Sequence, residues 1–204
     1  MYDAVHAGSQ NIGKLIVLPA TFPGCPRNLQ QNYMDAMAIV RKFGKPDFFI
    51  TMTANPAWPE VLEQMRPPET AHDRPDIVAR VFRIKMKALL EDLLKNDVLG
   101  KVIAWTYVVE FQKRGLPHIH ILLIMRGEDK PRTPEDIDAR ICAEFPDPSD
   151  AAQSELLSII STSQVHGPCG VRNPQCVCME HGACTKGYPK DFAETTQLNA
   201  DGMG

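Results

Sequence analysis

Apolar and polar positions along the chain repeat with two periods, and the changes of period mark out the elements. In "PDFFITMTANPAW", Phe48, Ile50 and Met52 alternate with Phe49, Thr51 and Thr53. That period of two predicts a strand with one apolar and one partly polar face, broken by the Asn-Pro that follows. "KVIAWTYVVEFQ" and "HIHILLIM" predict two more strands. The link "KRGLP" makes them a hairpin, with Pro117 shortening the pairing at its end. Helical spacing replaces alternation in "NLQQNYMDAMAIVRKFG", where Leu29, Tyr33, Met37 and Val40 share a face, Asn28 suits the cap and Gly44 the stop. The longest helical pattern is "RPDIVARVFRIKMKALLEDLLKNDVLG". Ile77, Val81, Phe82, Leu89, Leu93 and Leu94 form its broad apolar face, Asp76 lies near its start and Gly100 at its end. "KLIVLPATFPG" reads as a short strand or extended segment. "GEDKPRTPEDIDARICAEFPDPSDAAQ" reads as a surface excursion with one short helix, and "SELLSIISTSQVH" as a helix leading into a cysteine-rich segment. No internal repeat or low-complexity tract interrupts this order.

The 204 residues suit one medium domain or a domain with a small appendage, and the apolar content suffices for a packed core. No apolar run approaches bilayer-spanning length, and "MYDAVHAGSQ" lacks a secretory signal pattern, so an intracellular protein with no membrane partner is expected. Lys and Arg total 22 against 25 Asp and Glu, a net charge of −3. That balance counts against a globally basic nucleic-acid binder and leaves room for a local basic patch. Of six cysteines, Cys25 and Cys142 stand alone, while Cys169, Cys176, Cys178 and Cys184 crowd one segment. In a cell interior such a cluster more often holds metal than disulfides.

Two constellations carry chemistry. Alternation puts His118 and His120 on one strand face, and Glu110 and Gln112 share a face of the preceding strand. If the hairpin folds back about Gly115, positions 110 and 112 come opposite 120 and 118. Two imidazoles, a carboxylate and an amide then converge. This donor set suits Mn, Mg or Zn and leaves coordination positions open, while a solvated sheet edge is the plainer alternative. Lys113 and Arg114 lie in the adjoining turn, where a phosphate would sit. The second constellation is "HGPCGVRNPQCVCMEHGACTKGYPKDF", which offers His166, Cys169, Cys176, Cys178, His181 and Cys184. Its His-x-x-Cys start is half of a zinc knuckle, and a set of reduced loop cysteines is the alternative. Trp58 and Trp105 are candidates for stacking on a base, although core packing explains both.

"EFQKRGLPHIH" resembles the His-hydrophobic-His motif of HUH endonucleases, in the version found in the helicase-like N-terminal domain of Helitron transposases. Residues 8–60, "RPDIVARVFRIKMKALLEDL", "TPEDIDARICAEFPDP", "HGPCGVRNP" and "GACTKGYPKDF" resemble further segments of that domain in the same order. The resemblance implies an α+β fold, a central antiparallel sheet flanked by helices, with a Cys/His-rich C-terminal segment. It implies an initiator-like domain over residues 1–165 and a zinc-binding segment over 166–204. It implies Mn or Mg at His118 and His120, with Glu110 as third ligand and Gln112 as fallback, and single-stranded DNA as partner. In that family a tyrosine hydroxyl attacks a phosphodiester that the metal polarises, leaving a 5′-phosphotyrosine and a free 3′-OH. The family pattern also favours His166, Cys169, Cys178 and Cys184 as the zinc set.

The chain departs from that pattern in two ways. Its tyrosines are Tyr2, Tyr33, Tyr107 and Tyr188, with no Tyr-x-x-x-Tyr pair, so no catalytic nucleophile is identified. Packing roles are expected for Tyr33 and Tyr107. Tyr188 stands where the family commonly has phenylalanine. The G-x-x-x-x-G-K-[ST] motif of the parent helicase is also missing. The resemblance therefore implies a domain cut short, nuclear if expressed in a eukaryote, with a helicase as partner in the parent protein. A remnant that only binds DNA, or a zinc-stabilised interaction module, is the alternative.

Overall fold

The computed structural model describes residues 16–112, 115–141 and 144–196. The chain divides into two compact units that meet in sequence between Lys130 and Pro131. The boundary expected after residue 165 falls inside the second.

The first unit contains helix α1 (Pro26–Phe43), strand β1 (Phe48–Thr53), the short helix α2 (Pro59–Leu62), helix α3 (Pro75–Leu94) and strands β2 (Val102–Phe111) and β3 (Pro117–Met125). The strands form one sheet in the order β1-β3-β2, antiparallel throughout. This mixed architecture with a small antiparallel sheet agrees with the expected class in outline.

β3, the central strand, decides what the sheet can present. Ile119, Ile121, Leu123 and Met125 are fully buried. They pack with Phe48 and with Val78, Phe82 and Leu93 of α3, and Ile50 and Met52 lie against the same core. Each such side chain contributes on the order of 1.5–3 kcal/mol by leaving water. A one-residue slip would turn all four β3 residues to the other face, so the core fixes the register and sends His118 and His120 to the opposite side. Both ends of β3 are laced to β1. The Ala54 N–H donates to Pro117 O at 2.9 Å. At the far end Asp47 accepts the Met125 N–H at 2.8 Å and pairs with Lys130 at 2.7 Å.

Several local expectations need correction. Cys25, not Asn28, caps α1. Its sulfur accepts the Asn28 N–H, and Pro26 follows at the first helical position, where its missing donor costs nothing. Asn28 turns back to donate to Ala20 O at 2.9 Å. Gly44 does end the helix, at φ 97, with its N–H on Val40 O. α3 stops at Leu94 rather than near Gly100, with Lys95 N–H closing on Glu91 O. Gly100 instead ends the following turn at φ 104, where a Cβ would come within 2.9 Å of Asp129. Tyr33 is exposed, because α1 buries none of its residues. Residues 16–18 form no strand.

The second unit holds helix α4 (Pro134–Asp138), a 3₁₀ turn (Ala151–Gln153), helix α5 (Ser154–Ser163) and a small hairpin of β4 (Met179–Glu180) and β5 (Ala183–Cys184). Thr133 and Asp136 close a capping box on α4. His181 and Gly182 form the hairpin turn, both at positive φ, as a two-residue loop of right-handed twist requires. Among the described residues no helix is long and apolar enough to cross a membrane.

Candidate functional site

Two groups of ligand-type side chains emerge, one in each unit. The first lies on the open face of the three-stranded sheet. His118 is the direct cross-strand partner of Thr53 on one side and Glu110 on the other. His120 pairs with Thr51 and Val108. The pairing therefore sits two residues from the expected register. Glu110 faces His118 rather than His120, and Gln112 lies past the end of β2. Its backbone closes the turn there, with its N–H on Leu116 O at 3.0 Å and its C=O accepting the Gly115 N–H at 2.7 Å. Lys113 and Arg114 lie outside the described residues.

On this face His120 Nε2 is 3.5 Å from Glu110 Oε1. The two imidazoles meet edge to face, centroids 4.5 Å apart. Phe49 stacks on His120 at 5.3 Å with an 18° angle between the rings. His118 Nδ1 is 2.6 Å from Thr53 Oγ1. His120 Nδ1 is buried and has no hydrogen-bond partner among the described residues. His120 thus turns Nε2 toward the Glu110 carboxylate with a second imidazole at its edge, a donor set that fits a cation. Thr53 and Phe49 were missed from sequence as members of this site. Their alternation with Phe48, Ile50 and Met52 placed them on one face, but only the strand order brings that face beside His118 and His120.

The second group is His166, Cys169, Cys178 and Cys184, whose ligand atoms all lie within 4.8 Å of one another. Cys178 Sγ and Cys184 Sγ are 3.4 and 3.5 Å from His166 Nε2. Tetrahedral zinc with ordinary Zn–S and Zn–N bonds sets that separation at about 3.5 Å. This His/Cys group can hold a metal ion. Cys184 sits on β5 and Cys178 just before β4, so the tight hairpin turn delivers two of the three sulfurs. Tyr188 stacks on His166 at 4.1 Å with an 8° angle, fixing the ring. The Tyr188 N–H, with Lys186 N–H adding to it, holds the Cys184 thiol down to about 6. Burial, reinforced by the neighbouring thiols, pushes Cys178 up to about 12. Such opposed shifts mark thiols that share one site, where a cation would favour the thiolate in each. Cys176 Sγ lies 3.5 Å from Cys178 Sγ but is not one of the four, and His181 occupies the hairpin turn.

A family model described as the Helitron helicase-like domain at N-terminus matches residues 2–123. The chain belongs to this family. The match runs through β1, α3 and β2 and ends within β3, so Thr53, Glu110, His118 and His120 all fall inside it. The His/Cys group lies beyond it. Membership ties the Helitron-like chain to a transposase-related, DNA-directed role. No curated protein matches the chain.

The remaining aromatic candidates are placed as follows. Trp58 packs against the core and carries Lys85 Nζ over its ring at 5.1 Å. Trp105 is partly exposed and stacks on Tyr107 at 5.7 Å. Both alternate onto the sheet face opposite His118.

Proposed function

We propose that this chain is an initiator-type module of a Helitron transposon, of the HUH class, which binds single-stranded DNA through a divalent cation at His118, His120 and Glu110. In the parent protein it would act beside a helicase, in nicking and strand transfer. The observation that carries this reading is the convergence of Glu110 on His120 at 3.5 Å beside His118, on the open face of the sheet. Two imidazoles and a carboxylate suit Mn or Mg at a catalytic rather than a closed structural site, since positions stay free for phosphate oxygens. Bound there, the cation would supply Lewis-acid polarisation of a phosphate. The chain's own contribution is to hold the three donors on a rigid strand pair and to keep Phe49 against His120, with Gln112 at the adjoining turn.

Tyr107 alternates to the opposite side of β2, Tyr33 is on exposed α1, and Tyr188 packs on His166. The reading therefore assigns cation and DNA binding to these residues and names no nucleophile. It assigns the His166, Cys169, Cys178 and Cys184 group to structural zinc. Those tyrosine positions favour, as a second reading, a binding module that does not itself nick.

Fluorescence anisotropy of a labelled single-stranded oligonucleotide, with and without Mn²⁺, tests the reading. Binding strengthened by Mn²⁺ in the wild type and insensitive to it in His120→Ala is expected. Equal Mn²⁺ dependence in both proteins contradicts it.

A further inference from the structure

We propose that Thr53 is a positioning residue that selects the nitrogen His118 offers to a cation. The inference rests on His118 being a cation ligand, and adds what fixes its ring. Thr53 Oγ1 lies 2.6 Å from His118 Nδ1, so that nitrogen is already occupied by a hydroxyl and has no room for an ion. Only Nε2 remains. An imidazole nitrogen binds a cation through a lone pair, so the single proton of the neutral ring has to sit on Nδ1. Nδ1–H then donates to Thr53 Oγ1, and Nε2 is left bare. The reverse arrangement, with the hydroxyl donating to Nδ1, would put the proton on Nε2 and close it to a cation.

The fold holds Thr53 for this task. It is the last residue of β1 and the direct partner of His118 across the β1–β3 pairing. The next residue, Ala54, donates its N–H to Pro117 O at 2.9 Å, which fixes the backbone on both sides of the pair. Threonine is stiff at χ1, so its hydroxyl keeps its direction better than a serine hydroxyl would. The two histidines are thus held by different means. His118 is held by a hydrogen bond to its outer nitrogen. His120 is held by the Phe49 ring and by the edge of His118, and its Nδ1 carries no such bond. Outer partners that orient a ligand imidazole typically change metal affinity by about 10–100-fold when removed.

The test is the histidine tautomer, read by long-range ¹H–¹⁵N NMR of the ¹⁵N-labelled, metal-free full chain at about pH 8, above the ordinary imidazole range. The His118 signals are identified by their loss in His118→Ala. In the wild type and in Thr53→Ser the proton is expected on Nδ1. In Thr53→Val, which keeps the shape and removes the hydroxyl, the ring is expected to shift toward the Nε2–H form that free imidazole favours. The backbone amide spectrum shows whether that variant stays folded. Mn²⁺ affinity is measured alongside, with a loss of about 10–100-fold expected in Thr53→Val and rescue in Thr53→Ser. A wild-type His118 carrying its proton on Nε2 overturns the proposal, even if Mn²⁺ binds through His118. The expected tautomers with Mn²⁺ affinity unchanged in His118→Ala overturn the ligand reading beneath it instead.

Discussion

Glu110 reaches His120 across the diagonal. It is the direct cross-strand partner of His118, yet its Oε1 lies 3.5 Å from His120 Nε2. The carboxylate therefore meets His120 from the strand position opposite His118, and removing its charge should weaken a cation held there. Glu110→Gln is expected to lower Mn²⁺ affinity by about tenfold or more, ~1.4 kcal/mol per decade, as measured by isothermal titration calorimetry. An unchanged isotherm would take Glu110 out of the site.

The histidines depend on the buried side of their own strand. Leu123 is fully buried and belongs to the core shared with α3. Leu123→Ala is expected to cost about 2–5 kcal/mol of stability in urea unfolding. A cost under 1 kcal/mol, the usual range for surface changes, would mean that the β3 core does not fix the sheet.

Cys184 and Cys178 titrate in opposite directions, and the signs can be followed. The Tyr188 N–H lowers Cys184 from 9.0 to about 6, so its contribution to stability is complete above 9.0 and lost as pH falls through about 6. Burial raises Cys178 to about 12, so its contribution is complete below 9.0 and lost as pH rises through about 12. At about pH 7 the metal-free chain should thus carry a thiolate at Cys184 and a thiol at Cys178. Iodoacetamide followed by peptide mass spectrometry is expected to mark Cys184 first. Faster alkylation of Cys178 would contradict the assignment.

Tyr188 lies flat on His166, and the ring rather than the hydroxyl makes that contact. Tyr188→Phe is expected to retain zinc by elemental analysis and by competition with a chelator. Tyr188→Ala is expected to hold it about 10–100-fold more weakly. Equal retention in both variants would show that the stack has no part in the site.

What was legible in the sequence followed from local periodicity. The alternation through residues 117–125 placed His118 and His120 on one face because four buried side chains occupy the other. The crowding of Cys169, Cys176, Cys178 and Cys184 signalled a cluster, the family resemblance implied three of them with His166, and those four do come together. What local pattern does not encode is how strands are paired. The β2–β3 register depends on a turn closed by backbone bonds from Gln112 N–H to Leu116 O and from Gly115 N–H to Gln112 O, and no side chain announces them. The Thr53 contact joins residues far apart in sequence, so only the strand order β1-β3-β2 reveals it. Helix ends were misjudged for a related reason. Cys25 is an unusual cap, and α3 stops without a glycine or proline at its last turn.

The most direct test is Mn²⁺ titration followed by electron paramagnetic resonance, which reads free Mn²⁺ without reference to activity. It compares the wild type with the His118→Ala, His120→Ala double variant, each checked for zinc content. The wild type is expected to take up one Mn²⁺ per chain and the double variant none, with zinc equal in both. Mn²⁺ uptake that survives in the double variant would contradict a cation site at these histidines.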